Sequence, residues 1–198
     1  MSMIDKSPFW RLFVMMEIMK PTIIYVSGAP GSGKTTLAKH ISKQLNIPQI
    51  SSDLIHGGVA FTRPEHDRSE TIRDIFVPHM IDTAKLGISF VVDHVLQKGI
   101  AKETIIEKLQ EHANVIYIHT QASDPITRYK YNIEMNESMD VKNRRNYLLA
   151  RANHHADNLD NTMYKIELDV PTLVVSTDDN YSPNLEEIVA YIQSNKSN

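Results

Sequence analysis

Residues Gly28-Ala29-Pro30-Gly31-Ser32-Gly33-Lys34-Thr35 satisfy G-x-x-x-x-G-K-[ST], and few strings of this length constrain a fold so tightly. The glycines let the backbone curl until successive N–H groups converge on one anion, and the lysine reaches the outermost of a row of phosphates. Such a loop works between a strand and a helix, whose positive dipole end adds to the attraction. Both neighbours can be read here. Thr22-Ile23-Ile24-Tyr25-Val26 has the composition of a buried parallel strand, and Leu37, Ala38, Ile41 and Leu45 recur at helical spacing from Thr35 onward. Gly28, Gly31, Ser32, Gly33, Lys34, Thr35 and Thr36 are therefore the expected phosphate ligands, with backbone N–H groups of residues 31 to 36 cradling a β-phosphate.

The remaining chain alternates strand and helix. Further strands are expected at 49–52, 88–92, 115–118 and 173–175, and apolar residues recur at helical spacing at Ile105, Ile106, Leu109 and Ala113 and again at Leu185, Ile188, Val189 and Ile192. Residues 54–68, with Gly57-Gly58 and several charges, read as a loop or short helix; Ile72, Ile75, Phe76, Met80 and Ala84 mark a helix over about 69–86 that Pro78 bends. Ser182-Pro183 reads as the cap and first turn of a final helix. This rhythm predicts an α/β fold with a parallel sheet covered by helices on both faces. It breaks over 123–165, where Arg128, Lys130, Lys142, Arg144, Arg145 and Arg151 crowd a polar helical stretch, either a solvated face or a lid over a bound triphosphate.

The 198 residues fit a single domain over 20–198, preceded by an extension over 1–19. That extension is apolar, but it is short of the about 18 residues needed to span a membrane and is interrupted by Glu17. Without a small-residue cleavage site it does not read as a signal peptide, and packing on the domain or on a second copy, as in a homodimer, is the expectation. A net charge of −3 leaves no overall basic footprint for nucleic acid or an anionic membrane. The absence of cysteine excludes disulfides and thiolate chemistry and fits a reducing cytoplasm. The nine histidines show no metal-ligand spacing.

In an open parallel sheet, ligands bind beyond the carboxyl ends of the strands. Asp53 and Asp93 follow the second and third strands, at the rim where the glycine loop lies. Carboxylates beside a triphosphate can hold Mg²⁺, directly or through water and together with Thr35, and can orient or deprotonate an attacking hydroxyl; either could instead cap a helix. The acceptor pocket is expected from residues 54–80 and 94–98. His56, Arg63, His66, Arg68 and Arg73 give it a cationic leaning, with Arg63 and His94 as candidate substrate contacts and His94 equally readable as a core histidine.

On Ser27 to Thr36, Ile50-Ser51-Ser52-Asp53, Val91-Val92-Asp93, Asp124-Pro125-Ile126-Thr127-Arg128 and Ser176-Thr177-Asp178, the chain resembles a group of small P-loop kinases. The group includes chloramphenicol phosphotransferase, the zeta-type toxin kinases and the kinase part of polynucleotide kinases. The resemblance spans roughly 20–195. It implies a five-stranded sheet in the order 2-3-1-4-5, ATP with Mg²⁺, and transfer of the γ-phosphoryl group to a hydroxyl of a small molecule. It also implies Asp53 as base, Arg128 as a lid contact to the nucleotide, and Thr177 as a wall near adenine. Where the group often carries a second lid arginine, this chain reads Tyr131-Asn132-Ile133, leaving Arg144, Arg145 or Arg151 to supply that charge. Two other readings stand beside this one: a kinase for a polynucleotide 5′-hydroxyl or a nucleotide sugar, and a nucleotide-dependent switch without an acceptor.

Overall fold

The structure, a computed structural model, describes residues 20–63, 65–96, 98, 105–135, 164 and 166–196, without the side chains of 132–135. The extension over 1–19, most of the stretch read as a lid, and Lys142, Arg144, Arg145 and Arg151 lie outside the described residues.

Strand β1, Thr22–Gly28, is buried along its whole length at the centre of a five-stranded sheet. It is flanked by β3, Phe90–Asp93, and β4, Asn114–Gln121, with β2, Gln49–Ser51, and β5, Thr172–Ser176, at the edges. The order is 2-3-1-4-5 and all named strands pair in parallel, as expected. Alternation along the strands divides the core. Ile23 and Tyr25 join Phe90, Val92, Val115 and Tyr117 on one face, under Phe76, Met80 and Leu109. Ile24 and Val26 join Val91, Ile116 and Ile118 on the other, under Leu37, Ile41, Ile188 and Ile192. Burying both faces requires the near-continuous apolar strands that the sequence supplies.

Helix α1, Lys34–Leu45, ends where Asn46 takes the left-handed conformation (φ 53°) and Ile47 donates back to the Ser42 carbonyl. Helix α2, Ser52–Thr62, occupies most of the segment for which a loop was the alternative, and Gly57 and Gly58 sit within it without breaking it. Helix α3, Arg68–Thr71, continues through a π-helical turn, Ile72–Phe76, into α4, Val77–Lys85. The widened turn meets the constraint of Pro78, which lacks an N–H and whose ring crowds the carbonyl four residues back; the Val77 N–H reaches the Ile72 carbonyl instead. After α5, Glu107–Gln110, and α6, Pro125–Met135, the last helix, α7, spans Leu185–Ser194.

The start of α7 corrects the expectation at Ser182-Pro183. Asn184 is the cap: its side chain accepts from the Glu187 N–H at 3.0 Å, and the Glu187 carboxylate accepts from the Asn184 N–H at 2.9 Å. That reciprocal pair satisfies two terminal donors, and Ser182 is committed to a backbone bridge with Ser176. Among the described residues, no helix is long and apolar enough to cross a membrane.

Candidate active site

The glycine loop joins the end of β1 to α1, and its conformation explains its composition. Gly31 (φ 84°) and Gly33 (φ 81°) lie in the left-handed region. Helix α1 begins with no side-chain cap and no acid in its first turn, so the positive end of its dipole is left for a ligand.

Long-range hydrogen bonds brace the loop from behind. The Ser32 hydroxyl donates to Thr120 Oγ1 (2.6 Å), which donates to the Ser27 carbonyl (3.1 Å). The Thr177 hydroxyl donates to the Ser32 carbonyl at 2.8 Å, and Arg128 Nη1 donates to both the hydroxyl and the carbonyl of Thr177 at 3.0 Å. Thr177 thus meets the loop through its backbone, and Arg128 reaches the loop through Thr177. Thr120 carried no local signal in the sequence, since it is brought to the loop only by the pairing of β4 with β1 at Gly28 and Thr120.

The same sheet places the carboxylates. Register sets Asp93 beside Val26 on one side and Ser51 on the other. It is only 3% exposed, its Oδ2 accepts from the Ser51 hydroxyl at 3.5 Å, the Thr35 hydroxyl stands close to the carboxylate, and its Oδ1 is buried without a partner. Burial pushes its carboxyl above the usual range against the opposing pull of Lys34 and the Thr35 hydroxyl; Asp53 adds to the rise. A buried acid with one vacant oxygen, beside a threonine hydroxyl and a lysine, suits a hard cation sharing its shell with phosphate oxygens and water. Among the described residues no three acidic or histidine side chains cluster, which Mg²⁺ held mainly by substrate does not require.

Asp53 lies in the first turn of α2 and is engaged by the guanidinium of Arg68, from the start of α3. Although the Asp53 side chain is 60% exposed, the water it loses on its protein-facing side raises its carboxyl; Arg68, with a smaller pull from Lys34, outweighs this and holds it below its ordinary value. Asp53, Asp93 and Lys34 therefore feel one another's charge at one rim, as their positions in the sequence predicted. Arg68 was read only as one of several cations, because a contact across 15 residues leaves no periodic trace.

Two expected substrate contacts are placed differently. Arg63 is exposed at the far end of α2, ten residues beyond Asp53 and so about 15 Å along the helix axis. The His94 ring is a core group, 5% exposed, 5.1 Å from the Phe76 ring and 6.3 Å from that of Tyr25. Burial lowers its pKa from 6.5 to about 3, with Arg68 adding to the fall. The unfolded chain takes up this proton near 6.5 while the folded protein resists it to about 3, so stability present above pH 6.5 is lost as pH falls through that window. His94→Phe is expected to flatten the fall in Tm between those values without lowering Tm at pH 7, since it also removes the unpartnered Nδ1. Thermal melts across pH check this; an unchanged slope excludes His94 as its source.

On the β4 side of the loop lies a cavity of about 310 Å³ lined by Ala29, Ser32, His119, Thr120, Tyr164 and Asp178, among others. Asp178 closes one wall by accepting from the Ser123 N–H (2.8 Å) and hydroxyl (3.0 Å).

No protein-family profile matches the chain. Over 33 residues it is 54% identical to a cytidylate kinase of Pyrobaculum aerophilum, a stretch covering 17% of this chain and 18% of that protein. Among solved structures, a proposed kinase from Chloroflexus aurantiacus superposes with a TM-score of 0.68 at 19% identity, covering 90% of this chain and 100% of the other. A sugar kinase from a Janibacter species superposes with a TM-score of 0.52 at 16% identity, covering 89% of this chain and 94% of that one. For the shikimate kinase of Acinetobacter baumannii, in complex with shikimate, the TM-score is 0.51 and the identity 18%, with coverage of 91% and 98%. At these identities the likeness is one of fold: the chain shares the α/β architecture of these structures.

Proposed function

We propose that the protein is a kinase that uses MgATP to phosphorylate a hydroxyl group of a small molecule. The observation that carries this reading is the convergence of Lys34, the Thr35 hydroxyl and Asp93, with its vacant Oδ1, at the open N-terminus of α1. The kinase names of proteins sharing the fold support a phosphotransferase, and the narrower grouping with chloramphenicol phosphotransferase and the zeta-type kinases rests on the sequence motifs.

In this reading the N–H groups at the start of α1 hold the β-phosphate and Lys34 bridges the β- and γ-phosphates. Thr35 and Asp93 would hold Mg²⁺, which supplies neutralisation of charge on the β- and γ-oxygens. The 310 Å³ cavity beside Ala29 and Ser32 is in the size range of ligand pockets and offers room for the nucleoside. The acceptor oxygen attacks the γ-phosphorus as the bond to the bridging oxygen breaks. ADP leaves with that electron pair, and the hydroxyl proton passes to the Asp53 carboxylate. A carboxyl held low is compatible with this role, because a loose transition state keeps the acceptor proton in place until late. Arg128, fixed on Thr177, would meet the nucleotide from the lid side.

A screen of MgATP against sugars, hydroxy acids, antibiotics, nucleosides and oligonucleotides, reading labelled product, tests the proposal. With the acceptor found, Asp53→Asn is expected to keep ATP affinity while lowering turnover by about a hundredfold or more, the scale of general-base catalysis. Undiminished turnover removes Asp53 from that role. Labelled oligonucleotide alone would shift the reading to a polynucleotide kinase, and ADP release without labelled acceptor to a switch.

A further inference from the structure

Three cations of the acceptor-side segment are placed in different ways. Arg73 is spent on its neighbour Asp74, with contacts of 2.7 and 2.8 Å, and Arg63 stands exposed beyond α2. Arg68 alone among them reaches the candidate base. It donates one N–H from Nη2 to Asp53 Oδ1 and makes no other hydrogen bond among the described residues. A guanidinium has five N–H donors in a rigid fork, so four stay available beside Asp53. Its side chain is 37% exposed and that of Asp53 60%, so a molecule approaching this part of the rim can touch both.

We propose that Arg68 is the receptor for an oxyanion on the phosphoryl acceptor, whose hydroxyl is seated on Asp53. The proposal rests on the kinase reading above and narrows its substrate class. An acceptor hydroxyl on the free oxygen of Asp53 and an oxyanion on the open edge of Arg68 lie within about one guanidinium width. Hydroxyl and acid therefore stand a few bonds apart, as in a hydroxy acid, a sugar acid or a polyol phosphate. A planar carboxylate or phosphate ester takes two parallel N–H donors from arginine, which a neutral hydroxyl cannot do. The existing contact fits this arrangement: Arg68 holds Asp53 in place while its remaining donors select the acid. Leu54 and Phe61, exposed on α2, offer no competing charge.

The test uses the full chain saturated with MgADP and three sets of probes. The first is carboxylates (glycerate, gluconate), the second a phosphate ester (glycerol 3-phosphate), and the third the neutral counterparts glycerol and glucitol, with binding read by calorimetry and thermal shift. At least one acidic probe is expected to bind about tenfold or more tighter than its neutral counterpart, the scale of charge-assisted hydrogen bonds. Which acidic set binds identifies the oxyanion. Arg68→Gln is expected to erase the preference and Arg68→Lys to keep part of it, with MgADP affinity unchanged in both. The proposal is overturned if neutral probes bind as well as acids, if Arg68→Gln leaves the preference intact, or if no acid binds to protein that takes MgADP normally. Failure to bind MgADP at all would instead sink the kinase reading, and this proposal with it.

Discussion

Alanine in place of Gly31 is expected to lower stability by roughly 2–5 kcal/mol and to weaken MgATP binding at least about a hundredfold. Two physical costs add. The residue sits at φ 84°, where an L side chain costs about 1–2 kcal/mol. A Cβ there would also stand 1.8 Å from the Pro125 carbonyl oxygen, 2.8 Å from its carbon and 2.9 Å from the Tyr129 nitrogen. Those are backbone atoms in the first turns of α6, with no rotamer through which to escape, so either α6 or the loop must move. Moving the loop turns its N–H groups away from their common focus, and each lost charge-assisted bond is worth about 1.5–3 kcal/mol. Gly57→Ala supplies the control, since its Cβ would meet nothing within 4 Å and replaces glycine inside a helix. It is expected to stabilise by about 0.5–1 kcal/mol. Thermal melts and calorimetry with MgATP distinguish the two substitutions. Equal Tm values would mean that α6 does not rest on the loop.

The loop, the strand before it and the helix after it were legible because everything that defines them is local: three glycines at positive φ, a run of β-branched residues, and four apolar residues at helical spacing. Asp53 and Asp93 were legible for the same reason, since one closes its strand at the rim and the other stands two residues past the end of the neighbouring strand. What escaped depends on contacts distant in sequence. The Ser32–Thr120 bond spans 88 residues and the Thr177–Ser32 bond 145, so Thr120, two residues past the strand expected at 115–118, carries no signal of its own and Thr177 reads only as a pocket wall. Arg63 is the substrate contact the sequence favours over Arg68, yet the fold sets Arg68 on Asp53 and leaves Arg63 in solvent. At α7, two residues competent to cap stand two apart, and the partner of Asn184 three residues on, Glu187, decides between them.

Lys34→Ala is expected to lower kcat/KM for phosphoryl transfer by about a thousandfold or more, the range found when a cation on the transferring group is withdrawn. The apo-protein also registers the loss. Lys34 pulls down the carboxyls of both Asp53 and Asp93, and for Asp93 it is the chief influence opposing burial. Without it two carboxylates face one another at the rim with Arg68 engaged by Asp53 alone, and the carboxyl of the buried one is pushed further up. A carboxyl that gives up its proton less readily is a weaker partner for a hard cation, so the variant loses the direct grip on phosphate and holds Mg²⁺ less well. Lys34→Arg does not restore function in this account, because a branched planar head cannot follow the path of a slender ammonium through a closely braced loop. Single-turnover rates give the transition-state loss and MgADP calorimetry the ground-state loss. Circular dichroism confirms that the sheet is intact. Turnover within tenfold of the parent protein would show that the glycine loop carries no triphosphate through the reaction, and the assignments of Thr35, Asp93 and Asp53 would fall with it.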